Sequence, residues 1–128
     1  YCTYCSAEKN HSQKMLPAID LYKSHRISKI SDLSEKKGVK FIILSGKFGV
    51  VDVHQKIDYY DHLLKPSEVE GHAELVASQL QEKKISKLVF FMNSITNDKN
   101  IKPYADCIIK AAAKSGVSLE CRIAHFND

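Results

Sequence analysis

Cys5-Ser6-Ala7-Glu8-Lys9 crowds a thiol, a hydroxyl, a carboxylate and a primary amine into one short polar segment. An amine in such a place has two uses. Charged, it clamps a phosphate; neutral, it attacks an electrophilic carbon. The second use needs desolvation or a neighbouring cation, because a solvent-exposed lysine with a pKa of about 10.4 is almost wholly protonated at neutral pH. Lys47 is the cation that would help, and Glu8 would oppose it if it pointed the same way. Lys9 and Cys5 are therefore the expected catalytic residues, with Ser6 as a ligand contact. The alternatives are a solvated loop lysine or simple phosphate contact, and a small cysteine closing a buried strand.

Three further groups carry chemistry by type and spacing. In Ser45-Gly46-Lys47-Phe48-Gly49, which follows an apolar run, two glycines would let successive backbone amides converge on an anion while Lys47 adds charge. The spacing is shorter than that of a Walker-type loop and lacks its closing Lys-Ser or Lys-Thr, and a tight turn that buries Phe48 is the alternative. Tyr60 and Asp61 offer a stacking face and a carboxylate, able to grip a base, to orient Lys9, or only to pin a loop. Asn93-Ser94-Ile95-Thr96-Asn97 supplies neutral amides and hydroxyls suited to sugar or base edges, or else is a plain connection. Ser45, Gly46, Lys47, Gly49, Tyr60, Asp61, Asn93 and Ser94 thus join Ser6 as the expected ligand-binding set.

No metal site is expected. Cys2 with Cys5 is a lone Cys-x-x-Cys without a second pair, a weak zinc signal that also lacks the placement of a redox motif. His11, His25, His54, His62, His72 and His125 show no ligand spacing, and most read as surface residues. Nothing in these motifs names a cofactor.

Elements must bring these segments together. Residues 87–93 contain the continuous apolar run Leu88-Val89-Phe90-Phe91-Met92 that a parallel strand buried on both faces requires, and residues 39–44 read the same way. Residues 1–5 read as the tail of a first strand, and residues 117–123 alternate like a half-buried edge strand. Ile27, Ile30 and Leu33 recur at helical spacing before Gly38. Ser67 and Glu70 have capping-box spacing ahead of the stripe Val69, Ala73, Val76 and Leu80. Pro103 suits a first helical turn, Ala105, Ile108, Ile109, Ala112 and Ala113 give a core face, and Gly116 closes it. The alternation predicts a single α/β domain over residues 1–128, three-layered and Rossmann- or flavodoxin-like. Its mostly parallel four-stranded sheet is expected in the order 2-1-3-4. Ligands bind such sheets where the strand order reverses, here between the first and third strands, so the exits at Cys5 and Asn93 should face each other with residues 45–49 alongside. Residues 45–66 form the one long irregular stretch, a length usually tied to function.

Composition sets the outer limits. At 128 residues the chain can bury a core without disulfides or metals, and its apolar runs are far too short to span a bilayer. The cytoplasm is the default compartment, since the four cysteines do not resemble a secreted disulfide framework. A net charge of +4 is mildly basic, but Lys36, Lys37, Lys83 and Lys84 are interleaved with acids such as Glu35 and Glu82, as on solvated helix faces. The first residue is Tyr1 rather than Met, and part of the first strand is expected to precede it.

Cys5-Ser6-x-x-Lys9, then Pro17-Ala18-x-Asp20-Leu21-Tyr22, then Leu44-Ser45-x-x-x-Gly49 with Ile57, Tyr60, Asp61 and Leu64, resembles a widespread family of uncharacterised bacterial and archaeal domains over about half the chain. More distantly, Cys5-Ser6-Ala7-Glu8-Lys9 is similar to the opening of the lysine motif of the archaeosine synthase family, which modifies a deazaguanine base in tRNA. That resemblance implies a nucleophilic amine at Lys9, although Asn10-His11 stand where that family has Pro-Tyr. Residues 45–52, with Ile57 and Tyr60, resemble the peroxide-stress DNA-associated family. The leading expectation is a small enzyme or binding protein for a nucleotide, nucleoside or modified nucleobase, with a phosphate-bearing ligand in a crevice lined by Lys9. A non-catalytic nucleic-acid-binding module and an accessory interaction domain without chemistry are the alternatives.

Overall fold

The computed structural model describes residues 1–124; His125, grouped above with the surface histidines, lies outside them. The central strand, β1 (Cys2–Tyr4), is buried along its length. It is flanked on both sides by parallel neighbours, so both of its faces are covered, and its one polar side chain, Thr3, is hydrogen-bonded to the Phe91 carbonyl. On one side β3 (Ile42–Ser45) pairs Ile42 with Cys2, and on the other β6 (Lys87–Met92) pairs Phe90 with Cys2. β7 (Ser118–Ile123) continues the parallel sheet beyond β6. A fifth strand, β4 (Gly49–Asp52), folds back antiparallel on β3, so the sheet runs β4-β3-β1-β6-β7. The expectation of four strands is corrected on this point. The segment Gly-Val-Val-Asp is too short to show an alternation, and it falls inside the stretch whose composition reads as irregular.

That stretch is more ordered than its composition implies. β5 (Lys56–Ile57) pairs antiparallel with β2 (Leu16–Pro17), forming a second, two-stranded sheet beside the short helix α1 (Ala18–Leu21). The little sheet ties residues 10–24 to residues 53–60, so two loops far apart in sequence share one wall.

The three long helices carry ordinary physical signals. α2 (His25–Lys37) starts where the Ser24 hydroxyl accepts the Ile27 amide at 3.2 Å and ends at Gly38, whose φ of 65° puts it in the left-handed region that glycine enters without penalty. α3 (Val69–Glu82) is preceded by a tight turn over Pro66–Glu68, and its cap differs from the expected Ser67/Glu70 box. The Glu68 carboxylate accepts the Lys65 amide at 2.9 Å, while Glu70 reaches across to Lys110 at 2.6 Å. α4 (Lys102–Ser115) carries Pro103 in its first turn and ends at Gly116 with φ 74°. It packs against α3 through small side chains, with Ala73 and Ala77 buried on one helix and Ala111 and Ala112 on the other. Burial of Leu80, Leu88, Phe90 and Ile108 anchors the core, each contributing about 1.5–3 kcal/mol. Among the described residues no helix is long and apolar enough to cross a membrane.

β7 departs from the half-buried edge strand expected: only Leu119 is partly covered, and the other residues of the strand are exposed. Its alternation is present in sequence, but it stands at the sheet margin where one face and one edge remain open.

Candidate functional site

A cleft of about 420 Å³ opens at the carboxyl ends of β1 and β6. Cys5 through Lys9 form one side and Asn93, Asn97 and Asn100 the other, with Asp61, His62 and Leu63 closing the rim. The chain leaving β1 is held by backbone pairing rather than left as a free loop. Lys9 bridges Tyr22, the Asn10 amide donates to the Leu21 carbonyl at 2.7 Å, and the Lys23 amide donates to the Glu8 carbonyl at 2.9 Å.

This pairing turns the Lys9 side chain inward. It is only 8% exposed, and Nζ donates to the Ala7 carbonyl at 3.4 Å. The same amine lies 4.6 Å from the centre of the Tyr60 ring and 5.9 Å from that of Tyr22, the geometry of a cation held against aromatic faces. Among the described residues no carboxylate pairs with it. A buried ammonium without a carboxylate is costly unless aromatic faces, carbonyls or a bound anion compensate.

The tyrosine wall is fixed from behind. The Tyr22 and Tyr60 hydroxyls share a hydrogen bond of 2.6 Å, and the fully buried Ser45 hydroxyl donates to Tyr60 at 2.8 Å. Ser45 Oγ also accepts the amides of Lys47 at 3.1 Å and Phe48 at 3.0 Å. Those two amides are therefore turned inward onto a side chain, not outward onto an anion, and the turn acts as a brace for Tyr60. Burial, then the neighbouring Cys5, pushes the hydroxyls of Tyr22, Tyr60 and Tyr104 above the ordinary tyrosine range. All three are neutral at physiological pH. The thiol of Cys5 donates to the Tyr104 hydroxyl at 3.6 Å, and that hydroxyl accepts the Leu64 amide at 3.1 Å. Cys2 and Cys107 lie deeper, and burial pushes each thiol up to about 12, far from any nucleophilic state.

Beneath the cleft lies Arg26, 1% exposed. Its guanidinium stacks 3.7 Å from the centre of the Tyr4 ring and donates to Thr3 Oγ1 and the Tyr4 carbonyl, both at 2.6 Å, and to the Cys5 carbonyl at 3.3 Å. Lys23 adds a further cation to the lining; Glu8, Asp61 and Asp98 are its acids.

Of the residues expected from sequence, Cys5, Ser6, Lys9, Asp61 and Asn93 line this cleft together. Gly46, Lys47 and Tyr60 instead open on a neighbouring hollow with His62, Glu68 and His72, and Asp61 borders both. Ser45 and Gly49 line neither. Gly49 packs against Gln79, whose amide bonds the Phe48 carbonyl and the Val50 amide. Ser94 bonds Thr96 at 2.7 Å and is not part of the lining, where Asn97 and Asn100 stand instead. Arg26, Lys23 and Tyr104 escaped notice in sequence. Arg26 had one signal, a charged residue beside Ile27 and one turn before Ile30 on the apolar stripe of α2. Among the described residues no group of three His, Cys, Asp or Glu side chains could hold a metal ion.

The fold and the cleft define an α/β domain with an asparagine-lined pocket of mixed charge at its parallel strand ends. The chain belongs to the family of unknown function DUF6884, whose model matches residues 3–125. Neither the curated proteins nor the solved structures compared with it contain a match.

Proposed function

We propose that the strand-end cleft binds a nucleotide, nucleoside or modified nucleobase, with Lys9 as the amine that contacts its phosphate or reacting carbon. The observation that carries this reading is the burial of Lys9 against two tyrosine faces with no carboxylate partner among the described residues. An ammonium in that state is compensated best by a ligand anion. Asn93, Asn97 and Asn100 supply neutral donors and acceptors for the edges of a base.

The strand order supports the same reading. Taken as a doubly wound, Rossmann- or flavodoxin-like arrangement with β4 added at one margin, the sequence β3-β1-β6-β7 reverses direction between β1 and β6, which is where such sheets take their ligands. The resemblance of Cys5-Ser6-Ala7-Glu8-Lys9 to the archaeosine synthase lysine motif adds a nucleophilic role for the amine, and Cys5 is the second nucleophile within the lining.

Calorimetric titration with a panel of nucleotides, nucleosides and nucleobases, on wild type and Lys9→Ala, tests the proposal. Saturable binding weakened about tenfold or more by the substitution supports it. Absence of binding at millimolar ligand, or equal binding by the variant, overturns it. A protein that instead retains DNA or RNA with a steep loss of affinity as salt rises is a nucleic-acid-binding module.

A further inference from the structure

β7 closes one margin of the sheet, is largely exposed, and among the described residues has only the charges of Glu120 and Arg122 of the devices that normally keep an edge strand from pairing with another chain. It is six residues long, regular, and free of proline, lysine and bulges. The register with β6 fixes which of its backbone groups have no partner in that strand. The Ser118 amide donates to the Ser86 carbonyl and the Ala124 amide to the Met92 carbonyl, both at 3.0 Å. In a parallel ladder the groups facing the partner alternate, so Ser118, Glu120, Arg122 and Ala124 face β6. The amides and carbonyls of Leu119, Cys121 and Ile123 therefore face outward.

The residues of this strand are arranged symmetrically by chemistry about Cys121. Reading Leu119-Glu120-Cys121-Arg122-Ile123 from its centre, an acid on one side answers a base on the other, and an aliphatic answers an aliphatic. We propose that β7 is a homodimer interface, in which a second copy of this chain pairs antiparallel through its own β7 about a two-fold axis at Cys121. In that register Cys121 meets Cys121 of the second copy, and Leu119 meets Ile123, as hydrogen-bonded pairs using the backbone groups that point away from β6. Glu120 meets Arg122 in the closer, non-hydrogen-bonded pairs, one on each side of the axis.

A second copy is favoured over an unrelated strand because the pattern complements itself. A shift by one residue would bring Glu120 opposite Cys121 or Cys121 opposite Arg122 and would misalign the outward amides. Ile123, 66% exposed, is the most exposed large apolar side chain among those described, and the pairing covers it with Leu119 of the second copy. Glu120 and Arg122 already bond each other within the strand, so both are poised on the same face. The result is a continuous sheet through two molecules with the strand-end clefts left open.

Sedimentation of the full chain across micromolar concentrations provides the test. The wild type is expected at twice the mass of one chain, while Glu120→Arg and Arg122→Glu, which place like charges opposite each other twice, each raise the dimer dissociation constant about tenfold or more. The double exchange Glu120→Arg with Arg122→Glu restores the dimer, as does mixing the two single variants. A short bismaleimide joins the copies through Cys121, and Cys121→Ser abolishes that link. A wild type that stays monomeric at hundreds of micromolar, or a dimer indifferent to these charges, overturns the proposal.

Discussion

Lys9 Nζ stands 4.6 Å from the centre of the Tyr60 ring, whose hydroxyl accepts from Ser45 at 2.8 Å. A residue leaving β1 is thus positioned by the turn that follows β3, with a single aromatic ring between them. The amine and the glycine-rich turn act on each other through that ring.

Replacing Tyr60 by Phe separates its two tasks. The ring that faces Lys9 is kept, while the Ser45 and Tyr22 hydroxyls each lose a buried partner. A loss of about 1–2 kcal/mol in stability is expected from chemical denaturation. Ligand affinity should change by less than about threefold, because the cation–aromatic contact survives. Tyr60→Leu, which removes the ring, is expected to affect affinity as well.

Gly46→Ala reports on how closely the rim is packed. A Cβ there would stand 2.8 Å from the His62 carbonyl and 2.8 Å from the Tyr104 hydroxyl. The first is backbone and cannot swing aside, so the segment over residues 61–64 must shift. Destabilisation of about 1–3 kcal/mol is expected, read as a lower denaturation midpoint with unchanged slope.

Much of this was legible in the sequence, and the failures have physical causes. The buried strands announced themselves because Leu88-Val89-Phe90-Phe91-Met92 and Phe41-Ile42-Ile43-Leu44 admit few other readings. β4 was hidden because Val50 and Val51 alone cannot establish a period. Lys9 was legible by type and Tyr60 as one residue able to orient it, but the Tyr22 wall was not, since it depends on an isolated backbone bridge between Lys9 and Tyr22 that no local pattern announces. The two glycines of residues 45–49 signalled an unusual backbone correctly and its purpose poorly. Gly49 takes a positive φ of 75° for the hairpin and Gly46 admits a crossing chain, while Ser45, a plain serine in sequence, holds the turn amides. Arg26 was missed because its one signal, a place one turn before Ile30 on the apolar side of α2, is weak beside the many charged residues of that helix.

Acid should weaken the β4 edge. Burial pushes the Asp52 carboxyl up, but Lys83 at 3.1 Å and Lys40 at 3.5 Å outweigh it and hold the group below its ordinary 3.8. A carboxyl depressed in the folded state contributes its full stabilisation above the unfolded value and loses it as pH falls through the folded one. The wild type should therefore lose stability below about pH 4 more steeply than Asp52→Asn, in denaturation midpoints measured from about pH 6 down to pH 2.

Whether a ligand enters beside Lys9 is read most directly from amide chemical shifts during titration with a nucleotide. Perturbations are expected to concentrate at Ser6 through Lys9, at Asp61 through Leu63 and at Asn93, Asn97 and Asn100, and to collapse in Lys9→Ala. Shifts confined to the lysine-rich ends of α2 and α3, or none at millimolar nucleotide, would contradict a binding site at the strand ends.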